Sequence, residues 1–415
     1  MGKGRNIYVY YDGEQVDFPV IMGILTSVQL RGKEIFSFEF DKTWLSDQRF
    51  RSFDPDLQLF QGRQYAPQDK DNFGIFLDSA PDRWGRVLLE RIEAELARLD
   101  GRQIRNLYET DYLLGVFDGS RMGAIRFKLE PDGAFLDNDA TMATPPWTSL
   151  RELEEASLNL EDSHIAGQSK WLRMLVAPGS SLGGARPKAN VLDKDGDLWI
   201  AKFPSRKDRR DVGAWEAVCT GLAKRAGIAV SNFKLERYSG EYHTFLTKRF
   251  DRTDGGKRRQ FTSAMTLLGY SDGEDSVGAS YLEIAEWIEK NCMNIYDNLL
   301  ELFRRIVFNV AISNCDDHLR NHGFIYSPKG WTLSPAYDLT PDPAGYGLKL
   351  NIDETDNSLD FTLALSIAPY LGINDETANQ IVRHIKSVVS SWRTAATQYG
   401  IPRSEQEIME RAFNC

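Results

Sequence analysis

Residues 312–321 read Ile-Ser-Asn-Cys-Asp-Asp-His-Leu-Arg-Asn, directly after an apolar segment with helical periodicity at 295–313. Within this decapeptide, Asp316 and Asn321 stand five residues apart. A carboxylate can accept the proton of an attacking hydroxyl, and an amide oxygen can bind Mg²⁺, so both groups can act on one phosphate from a single short loop. The same spacing separates the base from the metal-binding Asn in the catalytic loop of protein kinases.

A second lone carboxylate follows a predicted hairpin, GFIYSPKGWTLS (323–334). It belongs to Asp338, which lies 22 residues beyond Asp316 in the string PAYDL. Mg²⁺ binds few carboxylates and completes its shell with water and phosphate oxygens, so Asp338 is a candidate metal ligand. Taken singly, Asp316, Asp317 and Asp338 could be turn or cap residues, but their order of loop, hairpin and Asp favours phosphate transfer.

His318 lies two residues after Asp316. A donor at this position could steady the phosphate being transferred. A structural hydrogen bond is the alternative, and the sequence leaves both open.

Two upstream segments carry features of a phosphate-binding site. GSSLGGARPK (179–188) is rich in small residues that let backbone N–H groups approach an anion, although many such stretches are ordinary turns. It is not a Walker A motif, because Gly184 is followed by Ala185 and Arg186. In LWIAKF (198–203), Lys202 interrupts an apolar strand and could bind the α- and β-phosphates with Glu216 holding it, or could simply extend into water.

Composition predicts a soluble, cytoplasmic protein of 415 residues with more than one domain. The net charge of −10 argues against a surface that binds nucleic acid throughout. The four cysteines are widely spaced, which is typical of reduced thiols and suggests no zinc site. No stretch is long and apolar enough to predict a membrane span.

The order of elements predicts an α+β, bilobal, protein-kinase-like fold with β-rich N-terminal subdomains and an all-helical C-terminal lobe. We place the boundaries at 1–135 for a β-rich subdomain, 136–253 for a nucleotide-binding part and 254–415 for the helical lobe. A helix is predicted over 375–396 from its apolar spacing. Basic clusters at 205–211 and 255–260 fall in predicted loops, where solvated charge or contact with DNA or tRNA would each explain them.

Together these motifs resemble the HipA family of toxin kinases over nearly the whole chain. The family string GNxDxHxKN corresponds to 313–321, with Ser for Gly at Ser313 and Arg for Lys at Arg320, and PAYDL is intact at 335–339. The family's GxxxK matches Gly184 to Lys188. The strings FGIFLDSAPDRWGR (73–86), MGAIRF (122–127) and TKRFDR (247–252) resemble its N-terminal and hinge segments, with Lys248 replacing a Glu.

The resemblance implies a role for each matching residue. Asp316 would be the general base, Asn321 and Asp338 would bind Mg²⁺, and Ser181 would be autophosphorylated, with Ser180 as a nearby competitor. The catalytic set is then Asp316, His318, Asn321 and Asp338. The residues expected to bind ATP are Gly183, Gly184, Ala185, Arg186, Pro187, Lys188, Lys202, Lys248, Arg249, Phe250, His318, Leu319, Arg320, Asn321, Tyr337 and Asp338.

The resemblance further implies a Ser/Thr protein kinase that uses ATP and Mg²⁺ and is the toxin of a HipBA-type toxin–antitoxin system. Its substrate would be an aminoacyl-tRNA synthetase, most often the glutamyl enzyme, and its action would arrest growth and favour persistence. Its partner would be a HipB-like helix-turn-helix antitoxin that carries the complex to operator DNA, and no membrane is expected. Two alternatives stay open, a kinase of a lipid or small molecule and a non-catalytic co-repressor.

Overall fold

The computed structural model describes residues 4–47, 49–81, 83–139, 144–161, 172, 174–175, 186–273 and 277–415. The chain divides into two compact units. The N-terminal unit comprises 1–207, 238–240 and 251–262, and the C-terminal unit comprises 208–237, 241–250 and 263–415.

The N-terminal unit is organised around an antiparallel sheet in the order β4-β3-β2-β1-β5. Its strands are β1 (Arg5–Tyr11), β2 (Val20–Leu30), β3 (Lys33–Phe40), β4 (Arg63–Tyr65) and β5 (Ile125–Lys128). In β1 the alternate residues Ile7, Val9 and Tyr11 are fully buried. This period of two places one face of the strand on the core, as the alternation in the sequence predicts.

The described part of this unit also contains helices and a hairpin. The helices are α1 (Lys42–Ser46), α2 (Gly74–Asp78), α3 (Arg83–Leu99), α4 (Glu109–Leu114) and α5 (Leu150–Glu161). The hairpin consists of β6 (Lys188–Leu192) and β7 (Leu198–Lys202). Trp84 in α3 donates from Nε1 to the carbonyl oxygen of Lys188 at 3.0 Å, which fixes the start of β6 against α3.

Within the basic cluster at 255–260, Lys257 is exposed, but Arg258 is an internal cation and fits neither of the interpretations given above. Its side chain is buried, and it donates to the backbone oxygens of Asp118 and Arg121 within the same unit. Burial lowers the pKa of the Arg258 guanidinium to about 10, and the Asp118 carboxylate opposes that shift. Arg258 is therefore neither solvated loop charge nor available to a nucleic acid.

The C-terminal unit is mainly helical. It contains the hairpins β8 (Phe233–Glu236) with β9 (Thr244–Lys248) and β11 (Gly323–Ser327) with β12 (Gly330–Leu333). β10 (Gln260–Ser263) lies where the chain passes between the units. The helices are α6 (Val212–Arg225), α7 (Ala264–Leu267), α8 (Tyr281–Asn291), α9 (Ile295–Ile312), α10 (Phe361–Ser366), α11 (Asp375–Val389), α12 (Trp392–Gln398) and α13 (Arg403–Met409).

The helix predicted over 375–396 is divided into α11 and α12. Ser390 Oγ donates to the carbonyl oxygen of Ser387 at 2.8 Å, and Ser391 Oγ donates to that of Val388 at 2.6 Å. Such local bonds compete with the helical ladder and favour a break. Beyond the break, Trp392 stacks on Phe413 with ring centroids 4.4 Å apart.

The fold is mixed α+β, as predicted. The C-terminal unit is not purely helical, because it contains the hairpin that the sequence also predicted between Asn321 and Asp338. Among the described residues, no helix combines the length and apolar character needed to span a membrane.

Candidate active site

The candidate catalytic loop begins where α9 ends. Ser313, the residue that terminates α9, has φ 48° and ψ 53°, which is the left-handed conformation that Gly adopts most easily. The side chain of Asn414 donates to Ser313 Oγ at 3.0 Å and to the carbonyl oxygen of Val310 at 2.9 Å. These bonds support the turn at Ser313, the position at which the family string GNxDxHxKN has Gly.

Asp316 and Asn321 lie on opposite sides of a short turn. Asp316 is exposed, whereas Asn321 is buried in the one-turn 3-10 helix at Leu319–Asn321. Asn321 Nδ2 donates to the carbonyl oxygen of Asp316 at 3.1 Å. Because the amide nitrogen is used in this bond, the amide oxygen is the atom that remains for a cation. An accessible carboxylate and a fixed amide thus stand together, as the spacing predicts.

Three hydrogen bonds align the segment that carries Asp338 with the catalytic loop. The Ser334 N–H donates to Gly323 O at 2.8 Å, and the Asp342 N–H donates to Ser313 O at 3.0 Å. Between them, the Tyr337 hydroxyl donates to Arg320 O at 2.6 Å. The bonds join 334 to 323, 337 to 320 and 342 to 313, so the two segments run antiparallel. Asp338 therefore lies beside the loop that holds Asp316 and Asn321.

Asp338 has an unusual backbone conformation, with φ 56°. A non-glycine residue in this region is strained, and Asp is one of the few side chains that visit it. Such outliers persist only where the surrounding structure holds them, and they concentrate at functional sites. No sequence pattern indicated this feature.

Beneath the loop lies a buried polar group that the sequence did not predict, here called the Asp317 cluster: Asp317, His322, Tyr281 and Asn309. One oxygen of Asp317, Oδ2, accepts from Tyr281 Oη at 2.5 Å and Asn309 Nδ2 at 2.9 Å. His322 Nε2 lies 2.7 Å from the same oxygen. Burial and the neighbouring Asp317 carboxyl raise the pKa of the Tyr281 phenol well above its usual value, so Tyr281 remains a donor.

The residues present suit Mg²⁺ bound together with a phosphate ligand. Across the described ranges, no group of three or more His, Cys, Asp and Glu side chains is placed to hold a metal by protein ligands alone. Mg²⁺ usually takes one or two carboxylates and fills its octahedron with water and substrate phosphates. The Asp338 carboxylate and the Asn321 amide oxygen are a donor set of that kind.

The predicted phosphate-binding segment is described only in part. Ser180, Ser181, Gly183, Gly184 and Ala185 lie outside the described residues. Within the described part of the N-terminal unit, Lys188 and Lys202 are direct cross-strand partners in the β6–β7 hairpin. Residues so paired have Cβ atoms about 5 Å apart on the same face.

Lys188 is buried and Lys202 is partly exposed. The carbonyl oxygen of Pro187, the residue before Lys188, accepts a hydrogen bond from the Phe203 N–H at 2.9 Å. This bond extends the hairpin towards Arg186. Glu216, the predicted partner of Lys202, is buried in α6, and the pairing stays a prediction.

Of the predicted adenine-binding residues, Lys248 is the last residue of β9, and Arg249 and Phe250 follow it in the C-terminal unit. Arg249 is buried, and the ring of Phe250 lies 5.7 Å from that of Tyr337 between centroids. Two aromatic rings thus pack together next to Asp338.

In the candidate catalytic loop, Leu319 is fully buried, and Arg320 is partly exposed with a 3.7 Å ion pair to Asp272. His318 Nδ1 is buried and has no hydrogen-bond partner within the described residues.

Comparison with known proteins gives a consistent result. The model of the HipA-like C-terminal domain matches residues 180–392. The chain is 26% identical over 262 residues to the serine/threonine-protein kinase toxin HipA of Shewanella oneidensis, covering 55% of this chain and 59% of that protein. It is 29% identical over 179 residues to a putative kinase of Haemophilus influenzae, covering 39% of this chain and 52% of that protein. The matches thus span little more than half the length of either relative.

Among solved structures, the chain resembles one from the Shewanella oneidensis complex of HipA, HipB and operator DNA. The TM-score is 0.65 at 20% sequence identity, and the match covers 98% of this chain and 94% of that one. At this identity the likeness establishes a shared fold.

Proposed function

This chain belongs to the HipA-like C-terminal domain family, and from that membership we propose that it is a Ser/Thr protein kinase that uses ATP and Mg²⁺ and is the toxin of a HipBA-type toxin–antitoxin system. Homologues named as kinases, including the HipA toxin, support the general class. The residues that would carry the chemistry are Asp316, Asn321 and Asp338.

One observation carries this proposal: the antiparallel alignment of 334–342 with 313–323. The Tyr337–Arg320 bond joins the residue before Asp338 to the residue before Asn321. A kinase needs its base and its metal ligands around one phosphate, and two separate segments must therefore be held together. The three backbone-directed bonds supply that constraint without using the side chains of Asp316 or Asp338.

The proposed reaction is transfer of the ATP γ-phosphoryl group to a protein hydroxyl. The hydroxyl oxygen forms a bond to the γ-phosphorus, the bond from that phosphorus to the β–γ bridging oxygen breaks, and ADP leaves with the electron pair. Asp316, which is accessible, accepts the hydroxyl proton. Asn321 and Asp338 would hold Mg²⁺, which would supply positive charge against the phosphates. His318, on the same loop, would donate to a phosphate oxygen.

The N-terminal unit would contribute phosphate binding. Lys188 and Lys202 face one another across the β6–β7 hairpin. Both ammonium groups would act on the nucleotide phosphates through charge-assisted hydrogen bonds. We propose that Arg186, Pro187 and the small residues 183–185 act with these lysines on the nucleotide phosphates. Residues 248–250 would bind adenine, and Tyr337 is a further proposed contact of the nucleotide.

The test is phosphate transfer by the purified chain with Mg²⁺ and γ-labelled ATP, first to itself and then to a cell extract. D316N, N321A and D338N are each expected to lower transfer by at least about a hundredfold. D297N is the matched control, because Asp297 is an exposed acid at the far end of α9. Wild-type transfer that survives in all three site variants would contradict the proposal.

We further propose an aminoacyl-tRNA synthetase, the glutamyl enzyme first, as the protein substrate. Phosphoproteomics after brief induction of wild type and of D316N would identify it. A phosphorylated synthetase present only with wild type supports the proposal. A phosphorylated lipid or metabolite in its place would support the small-molecule alternative, and growth inhibition that persists in D316N would support a non-catalytic co-repressor.

Two regulatory features belong to the same proposal. Autophosphorylation of Ser181 would put a charge of about −1.5 to −2 where the nucleotide phosphates bind, and would thus inactivate the kinase. A HipB-like helix-turn-helix antitoxin would bind the chain and recruit it to operator DNA. Mass spectrometry of S181A against wild type tests the first feature, and gel-shift assays with a HipB-like helix-turn-helix protein and operator DNA test the second.

A further inference from the structure

The Asp317 cluster contains ionisable and hydrogen-bonding groups that the proposed reaction does not use. The side chains of Asp317 and His322 are only 3% and 2% exposed, so neither can touch a substrate. Burial of a carboxylate is costly unless its hydrogen bonds are satisfied. Asp317 has three such partners on one oxygen, and these polar groups lie together beneath the segment that carries Asp316 and Asn321.

The positions of the cluster residues in the sequence are informative. Asp317 follows Asp316, and His322 follows Asn321. Asp317 and His322 are thus separated by five residues, as are the proposed base and the proposed metal ligand, and the two pairs are offset by one position. The 2.7 Å contact between Asp317 Oδ2 and His322 Nε2 therefore joins the two ends of the loop on its buried side. A bond at this place fixes the distance between these ends.

The closed loop is also attached to two helices. Tyr281 lies in the first turn of α8 and Asn309 in the last turns of α9, and both donate to the Asp317 oxygen. The ring of Tyr281 packs edge-on against that of His322 at 5.6 Å between centroids. In addition, the His322 carbonyl oxygen accepts from the Ala264 N–H at 2.8 Å. Both ends of the interval are thus held by buried contacts.

We propose that Asp317 and His322 are positioning residues that set the separation of Asp316 and Asn321 for phosphate transfer. This inference rests on the proposed kinase function. Productive geometry must be held within a fraction of an ångström, and a misplacement of about 1 Å can cost about a hundredfold in rate. The Asp317 cluster would act by holding the catalytic loop in place, without touching the nucleotide.

The experiment compares H322L with H322Q. Leu removes the donor, whereas Gln carries an N–H at a distance from the backbone similar to that of Nε2. N298A is the control, because Asn298 is a buried Asn of the same helix α9 that bonds Met293 O and the Leu333 N–H. It lies about 16 Å from Asn309 along the helix axis. The readouts are kcat, KM for ATP, and hydrogen exchange of the amides at 314–322.

We expect H322L to lower kcat by about 10- to 100-fold with KM for ATP changed by less than about threefold, and to accelerate exchange at 314–322. H322Q should recover most of kcat, and N298A should keep wild-type kcat even if it melts earlier. A wild-type kcat in H322L, or an H322Q variant as impaired as H322L, would overturn the inference.

Hydrogen exchange separates this inference from the function. If the wild-type chain transfers no phosphate, the proposed function fails. Hydrogen exchange then decides by itself whether the Asp317 cluster positions the loop. Faster exchange at 314–322 in H322L than in N298A would then support positioning of the loop. Equal exchange in the two variants would overturn it.

Discussion

The hydroxyl of Tyr337 donates to the backbone carbonyl of Arg320 at 2.6 Å, and this bond joins two segments that the sequence separates by a hairpin. Each partner is the residue immediately before a proposed metal ligand. The position of Asp338 relative to Asn321 therefore depends on the side chain of Tyr337, a proposed nucleotide contact that takes no part in the transfer of the phosphate itself.

Tyr337→Phe tests this dependence. Phe keeps the ring beside Phe250 and leaves Arg320 O without its donor, so we expect a loss of about 1 kcal/mol in stability. We expect kcat for phosphate transfer to fall about tenfold or more, because Asp338 is no longer fixed. Tyr370→Phe is the control, since Tyr370 is 72% exposed. Equal kcat in the two variants would show that the bond does not position Asp338.

Ser313 tests the turn at the end of α9. Ser313→Gly should be more stable than Ser313→Ala by about 1 kcal/mol, because both lose the bond to Asn414 and only Gly occupies a positive φ without strain. Ser387, an exposed position inside α11, should show the opposite order, with Ala more stable than Gly by a similar amount. Urea denaturation of the four variants measures both differences. The same order at both positions would mean that Ser313 is not left-handed in solution.

Asp54 gives a pH prediction for the N-terminal unit. Burial raises the pKa of its carboxyl to about 6 from 3.8, against the bonds from the Ile75 and Asp56 N–H groups. The folded chain then binds more protons than the unfolded chain between these values, so stability falls as pH rises from about 4 to 6 and is level above. The shift corresponds to about 3 kcal/mol.

D54N should lack that fall, and D132N, at an exposed acid of the same unit, should retain it. Thermal unfolding midpoints at pH 4, 5, 6 and 7 test the difference. Parallel pH profiles for wild type and D54N would contradict the assignment.

The thiols should react at very different rates. Burial raises the pKa of Cys292 to about 12 and also raises the pKa of Cys219 well above its ordinary value, whereas Cys415 is exposed. At pH 8 the thiolate fraction of Cys292 is then about a thousandfold below that of a thiol with the ordinary pKa of 9.0. A bulky thiol reagent should label Cys415 first, C415S should lose this fast phase, and urea should expose all the thiols. Rapid labelling of Cys219 or Cys292 in the native chain would contradict their burial.

The sequence allowed the class of fold to be predicted, and it indicated the candidate catalytic loop, because both depend on local patterns. The spacing of Asp316 and Asn321 is set within one turn, and the apolar periodicity of α9 is visible in any window of its residues. The Asp317 cluster could not be predicted, because Tyr281 and Asn309 come from two helices and only tertiary packing brings them to Asp317. The same holds for Arg258, which reads as loop charge until its burial against Asp118 is known.

The left-handed conformation of Asp338 was equally inaccessible, since no neighbouring residue requires it. Ser313 is intermediate: the replacement of a family Gly was visible, but the supporting contact from Asn414 arises about a hundred residues away in the chain. Local spacing thus identifies the groups, and their separation is determined by contacts between distant segments.

The most direct measurement is a crystal structure of the chain with Mg²⁺ and a non-hydrolysable ATP analogue. We predict that one Mg²⁺ lies about 2.0–2.1 Å from both the Asp338 carboxylate and the Asn321 amide oxygen, with phosphate oxygens completing its shell and Asp316 facing the γ-phosphate. A nucleotide bound elsewhere, or a metal that contacts neither Asp338 nor Asn321, would contradict the central claim.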